Sequence, residues 1–432
     1  MIQKIALISQ GNVRKNTKNN KTMKTISISL SPNTERDDIS LAFSLIFKPW
    51  EWKKGKEIKE LERSFRNYFG FKNAFSFNSG RSSLIAILKA MEIGEGDEVI
   101  VQAFTCNAAV NPIIYVGARP IFADINDNLN ISPEEISKKI TKKTRAVMIQ
   151  HTFGYPADID EIRKICTINN IYLIEDCAHA LGAKYKDSFC GSFGDASFFS
   201  FGRDKIISSV YGGIVTVNND SLLEKVSHFQ KEVRYPSLYW ILQQLLHPVL
   251  MNEIILPLYN SKFGRGLLAI FLNLNILSKA VTSRENQGEL PSYFPERMPN
   301  ALAILAINQF KKLERFNEHR KEIAQMYESL LANKKEFKVI FKKDKEREIV
   351  FLKYPVLNVN PLKIVREARK QGIYLNDGWF GSAIVPPMTS LESICYITGS
   401  CPKAEEVAKR IVCLPTHVNI SREDVKRVFD SL

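Results

Sequence analysis

The sequence predicts an α/β fold built on a mostly parallel sheet. Three observations carry that prediction. Short apolar runs alternate with amphipathic stretches from about residue 74 to residue 217, the order expected of strand–helix–strand units with right-handed crossovers. The run IYLIED (171–176) is mainly apolar with no period, as in a strand buried on both faces. The composition is ordinary for a globular chain, 45% hydrophobic and 25% charged over 432 residues, which supplies a large core and argues against disorder. At about 150 residues per domain, this length accommodates two or three domains.

The elements follow in order. A helix spans 58–68, with Ile58, Leu61, Phe65 and Tyr68 at helical spacing, and Gly70 ends it. A strand over 74–77 runs into Ser79-Gly80, and a helix begins near Ser82. Strands are expected at 98–102, 120–123, 146–150, 171–176, 196–201 and 213–217, and helices at 107–116, 133–140 and 158–167. Residues 230–285 break the pattern: they are apolar and aromatic, and 235–252 carry no formal charge. Pro236, Pro248 and Pro257 interrupt this stretch, so it is not read as a membrane-spanning helix. It is either a helical hairpin packed on the body or a partner chain, or a segment lying in a membrane interface. A long helix is expected over 300–331. Short strands (349–355, 411–414) and helices (362–371, 404–410, 422–432) then make a smaller α+β domain. The division is thus a flexible leader over 1–27, a large domain over 28–290 holding the insertion, and 291–432 with the long helix and small domain.

The candidate site lies at strand ends. Asp176 falls at the carboxyl end of a buried strand, where open α/β sheets place ligands, and the small residues Cys177, Ala178 and Ala180 follow it. The next strand, ASFFSF, exits through Gly202, with Lys205 close behind. A carboxylate for a ring nitrogen and a mounted Lys are the pair that pyridoxal phosphate chemistry requires. The same residues equally suit an ordinary helix N-cap and a solvated turn. Ser79-Gly80 at a helix start offers free N–H groups to a phosphate, with Arg81 adding charge; a routine strand-to-helix turn has the same sequence.

The seven Cys are scattered, odd in number and without CxxC pairs, which excludes a disulfide framework or zinc ribbon and fits a reducing cytoplasm. No metal site is expected. The net charge of +14 comes without any nucleic-acid motif, so no nucleic-acid partner is expected; it fits solvated surface and an anionic ligand. The apolar run at residues 5–8 is too short for a signal-peptide core.

With these residues in view, the chain resembles the DegT/DnrJ/EryC1/StrS family of sugar aminotransferases. The matching blocks come in order: SGRSSL, GDEVIVQAFTCNAAVN, HTFGYPADIDEI, LIEDCAHALGA, GSFGDASFFSFGRDK, GGIVTVNND, RMPNALAILAINQFKKLE and CLPTH. The resemblance implies a fold-type I transferase, with a mostly parallel seven-stranded sheet sandwiched by helices, and pyridoxal 5'-phosphate as cofactor. It places Lys205 at the Schiff-base Lys, Asp176 at the acid on the ring nitrogen, Ala178 under the ring, and Ser200, Gly80 and Arg81 at the phosphate. Lys rather than His at 205 favours transamination over the dehydration of related enzymes. Departures fall at Arg81 (usually Thr), Cys106 (usually an aromatic stacked on the cofactor), His179 (usually Gln), Tyr211 (usually an acid) and Pro295 (often Asn). The implied reaction transfers an amino group, from glutamate as donor, to a nucleotide-linked keto-sugar for polysaccharide biosynthesis, in a cytoplasmic homodimer. The apolar stretch 235–281 leaves open a peripheral membrane contact and a lipid-linked or other non-nucleotide ketone. The departures leave open a non-catalytic regulator or scaffold.

Overall fold

The computed structural model of the protein describes residues 24–375 and 378–432. Its centre is a seven-stranded sheet of β1 (Phe75–Phe77), β2 (Glu98–Gln102), β3 (Arg119–Ala123), β4 (Thr144–Gln150), β5 (Tyr172–Asp176), β6 (Ala196–Ser200) and β7 (Gly213–Val217). The spatial order is β1-β7-β6-β5-β4-β2-β3. β7 runs antiparallel to both neighbours, and every other pair is parallel. Residues alternate between two buried faces. Val99, Val101 and Met148 enter one cluster, while Ile100, Val147 and Ile149 enter another. Burial on both sides explains why these strands read as unbroken apolar runs. Each Val or Ile so buried contributes about 1.5–3 kcal/mol.

Register fixes the rim that matters. Phe198 of β6 lies beside Asp176 of β5, and Ser200 lies beside Gly213 of β7, which in turn lies beside Phe77 of β1. Two antiparallel steps make β1 parallel to β6. The carboxyl ends of β1, β5 and β6 therefore share one edge, and the residues after each strand meet there.

The expected leader, 1–27, lies outside the described residues up to 23. Its last residues are folded: Ile26–Ser27 pairs in parallel with Ile373–Tyr374. The helix expected over 300–331 is two helices, Asn300–Phe310 and Leu313–Leu331. Apolar spacing runs through the junction, but the first helix packs into the large core and the second supplies Ile323, Ala324 and Tyr327 to a separate one. That second core joins a three-stranded antiparallel sheet (Phe337–Val339, Tyr354–Asn358, Ile411–Leu414) to helices Pro361–Lys370 and Arg422–Asp430. The strand expected at 349–355 starts later. Val350 and Leu352 instead give their N–H groups to the carbonyls of Gly154 and Phe153, at 3.3 and 2.9 Å, because this stretch crosses to the large domain.

The insertion is helical. One helical stretch runs unbroken through 238–258 despite Pro248 and Pro257, correcting the expected interruption. A π-turn over Met251–Ile255 widens the ladder just after Pro248, which relieves the clash a proline ring makes with the preceding turn. Helix Lys262–Asn273 folds back beside it.

Candidate active site

One end of the site is built by β1, β6 and β7. β1 passes through Asn78-Ser79 directly into helix Gly80–Ala90. Ser79 caps that helix, its hydroxyl accepting the Ser82 N–H at 3.1 Å and its carbonyl accepting the Ser83 N–H at 3.0 Å. The first N–H groups, of Gly80 and Arg81, have no partner inside the helix and suit an anion. Ser200 stands against this turn: a Cβ on Gly80 would lie 3.1 Å from Ser200 Cβ and 3.3 Å from its Oγ. The chain then folds over itself. Ser200 Oγ accepts the N–H of Gly202 at 3.3 Å, and a Cβ on Gly202 would lie 3.5 Å from both Ser200 Oγ and Lys205 Cγ. Gly213 closes the cradle from β7; a Cβ there would lie 2.7 Å from the Gly80 nitrogen, so any side chain would push the helix start away. Gly80, Ser200, Gly202 and Lys205 thus form one contiguous group.

The other end is Asp176. Its carboxylate is buried and accepts the N–H of Ala178 at 2.9 Å. Burial pushes its pKa up, against the pull of that N–H and of the Lys205 and His151 charges. Lys205 also acts on His179, Cys106 and Asp204. Asp176 ends β5 and Lys205 follows β6, its neighbour in the sheet, so both lie at the same rim, with the predicted His179 three residues beyond Asp176. His179 is buried, and burial together with the Lys205 and Lys353 charges holds its pKa well below the usual range, so it is neutral. Its Nδ1 accepts the N–H of Phe153 at 3.4 Å, which leaves the ring proton on Nε2 as a donor.

Four of the positions singled out in the sequence serve the walls. Arg81 does not add its charge to the phosphate turn. Its Nε lies 2.6 Å from Glu285 Oε1, an ion pair whose N–H does not line up on the oxygen, and a second nitrogen donates to the Ala280 carbonyl at 2.8 Å. Burial works against the guanidinium charge, but Glu285 outweighs it and holds the pKa up. Arg81 therefore offers the site its backbone, while its side chain anchors the end of the insertion. Cys106 is half-buried on a short strand paired with Ile384–Val385; burial raises its thiol pKa. Tyr211 donates its hydroxyl to the Lys279 carbonyl at 2.7 Å and lies beneath Arg203, 5.4 Å from ring centroid to guanidinium. Pro295 sits in a segment flanking the β1 turn, where the Glu296 carbonyl accepts the Asn78 N–H at 3.0 Å.

Glu285 is the hub of this wall. Its carbonyl accepts from Asn107 at 3.3 Å and Asn111 at 2.8 Å, and its carboxylate accepts from Thr282. Glu285→Ala leaves Arg81 as a buried, uncompensated charge. The expected cost is about 3–5 kcal/mol of stability, read as a lowered midpoint in urea unfolding; a change within the range of ordinary surface substitutions would show that the pair holds nothing.

Several neighbours of the site escaped sequence reasoning. Phe153 stacks on His179 with centroids 5.7 Å apart, and Trp379 meets His179 edge-on at 5.4 Å. The Lys353 ammonium, almost fully buried, lies 5.7 Å from both aromatic centroids. His151 does not face substrate space. Its Nε2 lies 3.1 Å from Glu175, and its Nδ1 accepts the Ala157 N–H at 3.1 Å. Neighbouring thiols and Glu175 draw its pKa up against burial, but an imidazolium would lose the Ala157 bond. The ligand atoms of His151, Glu175 and Cys177 lie within 4.8 Å of one another. Glu175 is already committed to three backbone N–H groups, of Gly191, Phe193 and Gly194, so the trio reads as structural support below Asp176. Arg297 is turned away, donating to the Lys231 carbonyl and covering the Tyr235 ring.

Comparison with known proteins identifies the family and the fold. The model of the DegT/DnrJ/EryC1/StrS aminotransferase family matches residues 34–237 and 277–432. A GDP-perosamine synthase of Escherichia coli O157:H7 is 29% identical over 385 residues, 89% of this chain and 91% of that protein. A second, of Vibrio cholerae, is 41% identical over 177 residues, 41% of this chain and 48% of that protein. Helicobacter pylori PseC, an aminotransferase involved in the biosynthesis of pseudoaminic acid, shares the fold at a TM-score of 0.72 and 21% identity, covering 94% of this chain and 98% of that one.

Proposed function

As a member of the DegT/DnrJ/EryC1/StrS aminotransferase family, this chain is a pyridoxal phosphate-dependent aminotransferase, and we propose that it moves an amino group from glutamate to a keto-sugar carried on a nucleotide, working as a homodimer. One observation carries the reading most: Lys205 packs against Gly202 beside the Gly80–Ser200 cradle, and its charge acts on Asp176 and His179. A phosphate suits the cradle, because the helix N–H groups of Gly80 and Arg81 have no intrahelical partner and Ser200 stands beside them. When bound, pyridoxal phosphate supplies an electron sink for the carbon that gains or loses the amine. Asp176 holds negative charge for the ring nitrogen, in a buried setting where that charge acts strongly. His179, with its proton on Nε2, would donate to the ring oxygen of the cofactor. Lys205 Nζ would hold the cofactor and serve as the base and acid that moves a proton during amine transfer. Phe153 and Trp379 exclude water from the side occupied by Lys353. Half-buried Arg203 and buried Lys353 add positive charge near the site, which suits the diphosphate of a nucleotide sugar. The GDP-linked names of two relatives support that choice of acceptor.

The purified protein is expected to aminate at least one member of a panel of nucleotide-linked keto-sugars when given glutamate, read by mass spectrometry of the products. A protein that holds its cofactor, shown by visible absorbance, yet aminates none of them would move the acceptor outside nucleotide sugars.

A further inference from the structure

The family match omits 238–276, so this segment is an addition to the shared fold. Its first helical part, 238–258, is 21 residues long with a mean hydropathy of 1.2, long and apolar enough to span a bilayer, but 44% of it is buried in the fold. Trp240, Ile241, Leu245, Met251 and Ile255 are all enclosed. That helix is a support. On it lies helix Lys262–Asn273, whose Leu268, Phe271 and Leu272 pack on Met251, Ile255 and Leu277. The opposite side of this second helix is bare. Phe263, Ile270 and Leu274 are 68%, 52% and 64% exposed, and their spacings of seven and four residues put them on one stripe. An exposed apolar stripe of this kind marks a surface that something covers.

Charge identifies the occupant. No Asp or Glu occurs from 254 to 284, while Lys262, Arg265, Lys279 and Arg284 do. Arg265 and Lys279 are exposed. Residues 1–34 likewise hold no acid but contain Lys4, Arg14, Lys15, Lys18, Lys21 and Lys24. The chain enters the described fold beside the insertion, where the Thr25 hydroxyl donates to the Leu256 carbonyl at 3.1 Å. An apolar stripe flanked by basic residues is complementary to an anionic lipid surface. A second copy seated symmetrically on the same patch would oppose like charges, which is unfavourable. We propose that helix Lys262–Asn273 docks the enzyme on an anionic bilayer, lying in the headgroup interface with Phe263, Ile270 and Leu274 inward. The residues just after the insertion are tied to the catalytic wall through Arg203 to the Ser278 carbonyl at 2.7 Å and Arg81 to the Ala280 carbonyl at 2.8 Å, so the docking helix joins the site through a short, anchored connection.

Sedimentation of the full-length chain with vesicles tests this. It is expected to pellet with phosphatidylcholine–phosphatidylglycerol vesicles and to remain in solution with phosphatidylcholine alone, with binding weakened by salt. Ile270→Asp with Leu274→Asp should lower the bound fraction at least about tenfold, with circular dichroism and the visible cofactor band unchanged. The proposal is overturned if the wild type stays in solution with the anionic vesicles. It is equally overturned if the double variant keeps vesicle binding, or changes the oligomer size in sedimentation velocity, which would mean that a second copy covers the stripe.

Discussion

Lys205→Ala should abolish transamination and the visible absorbance of the bound cofactor while leaving the fold intact. The side chain is half-buried and stands over Gly202, with Cγ 3.5 Å from where a Cβ would be. Ser200, Gly80 and the Asn33 bond to the Lys205 carbonyl do not depend on it. The amine, however, is the group placed to hold the cofactor and to move the proton, and deleting such a nucleophile lowers kcat on the order of 10⁴-fold or more. A second effect follows from the charge. Lys205 helps depress the pKa of His179 and helps hold down that of Asp176, so both values should rise in the variant. Circular dichroism, visible absorbance and single-turnover kinetics together check the prediction. Activity within tenfold of wild type would assign the chemistry to another amine.

Asp176→Asn should lower kcat by about 10²–10³-fold, the scale of losing one preorganised electrostatic partner. An amide oxygen still accepts the Ala178 N–H, which the carboxylate accepts at 2.9 Å, so the turn is kept and only the charge is lost. The cofactor-free protein gives an independent readout. Burial raises the folded-state pKa of Asp176, so the folded chain binds a proton more readily than the unfolded one. The group therefore contributes stability that is full below its unfolded pKa and is lost as pH rises through the folded value. Asp176→Asn removes that loss, and the cofactor-free variant should be more stable than cofactor-free wild type above that range. Lower stability with unchanged kcat in the loaded enzyme would mark Asp176 as a structural residue.

The parallel sheet was legible in the sequence because its strands are buried on both faces. The strands expected at 98–102 and 213–217 stand as Glu98–Gln102 and Gly213–Val217, and each is apolar without a period. The helix break at Lys311–Lys312 was not legible, since apolar spacing continues across it and only the change from one core to the other reveals it. Pro248 read as an interruption because the local rule ignores a π-turn that absorbs the ring. In the site, Asp176, Ser200 and Lys205 stood out as residues at strand ends, where the chain must present side chains to the rim. Phe153, Trp379 and Lys353 carried no such signal, since they come from irregular segments far apart in the chain. The Arg81–Glu285 pair joins residues some two hundred positions apart, and only folding brings such partners together. Reading Arg81 as added phosphate charge failed for that reason.

The central claim is that Lys205, and not the more deeply buried Lys353, is the amine that would hold pyridoxal phosphate, with Asp176 serving its ring nitrogen. Borohydride reduction of the cofactor-loaded protein, followed by proteolysis and peptide mass mapping, tests it directly. The phosphopyridoxyl mass is predicted on the peptide containing Lys205 alone. The same mass on the peptide containing Lys353, or on none, would contradict the account.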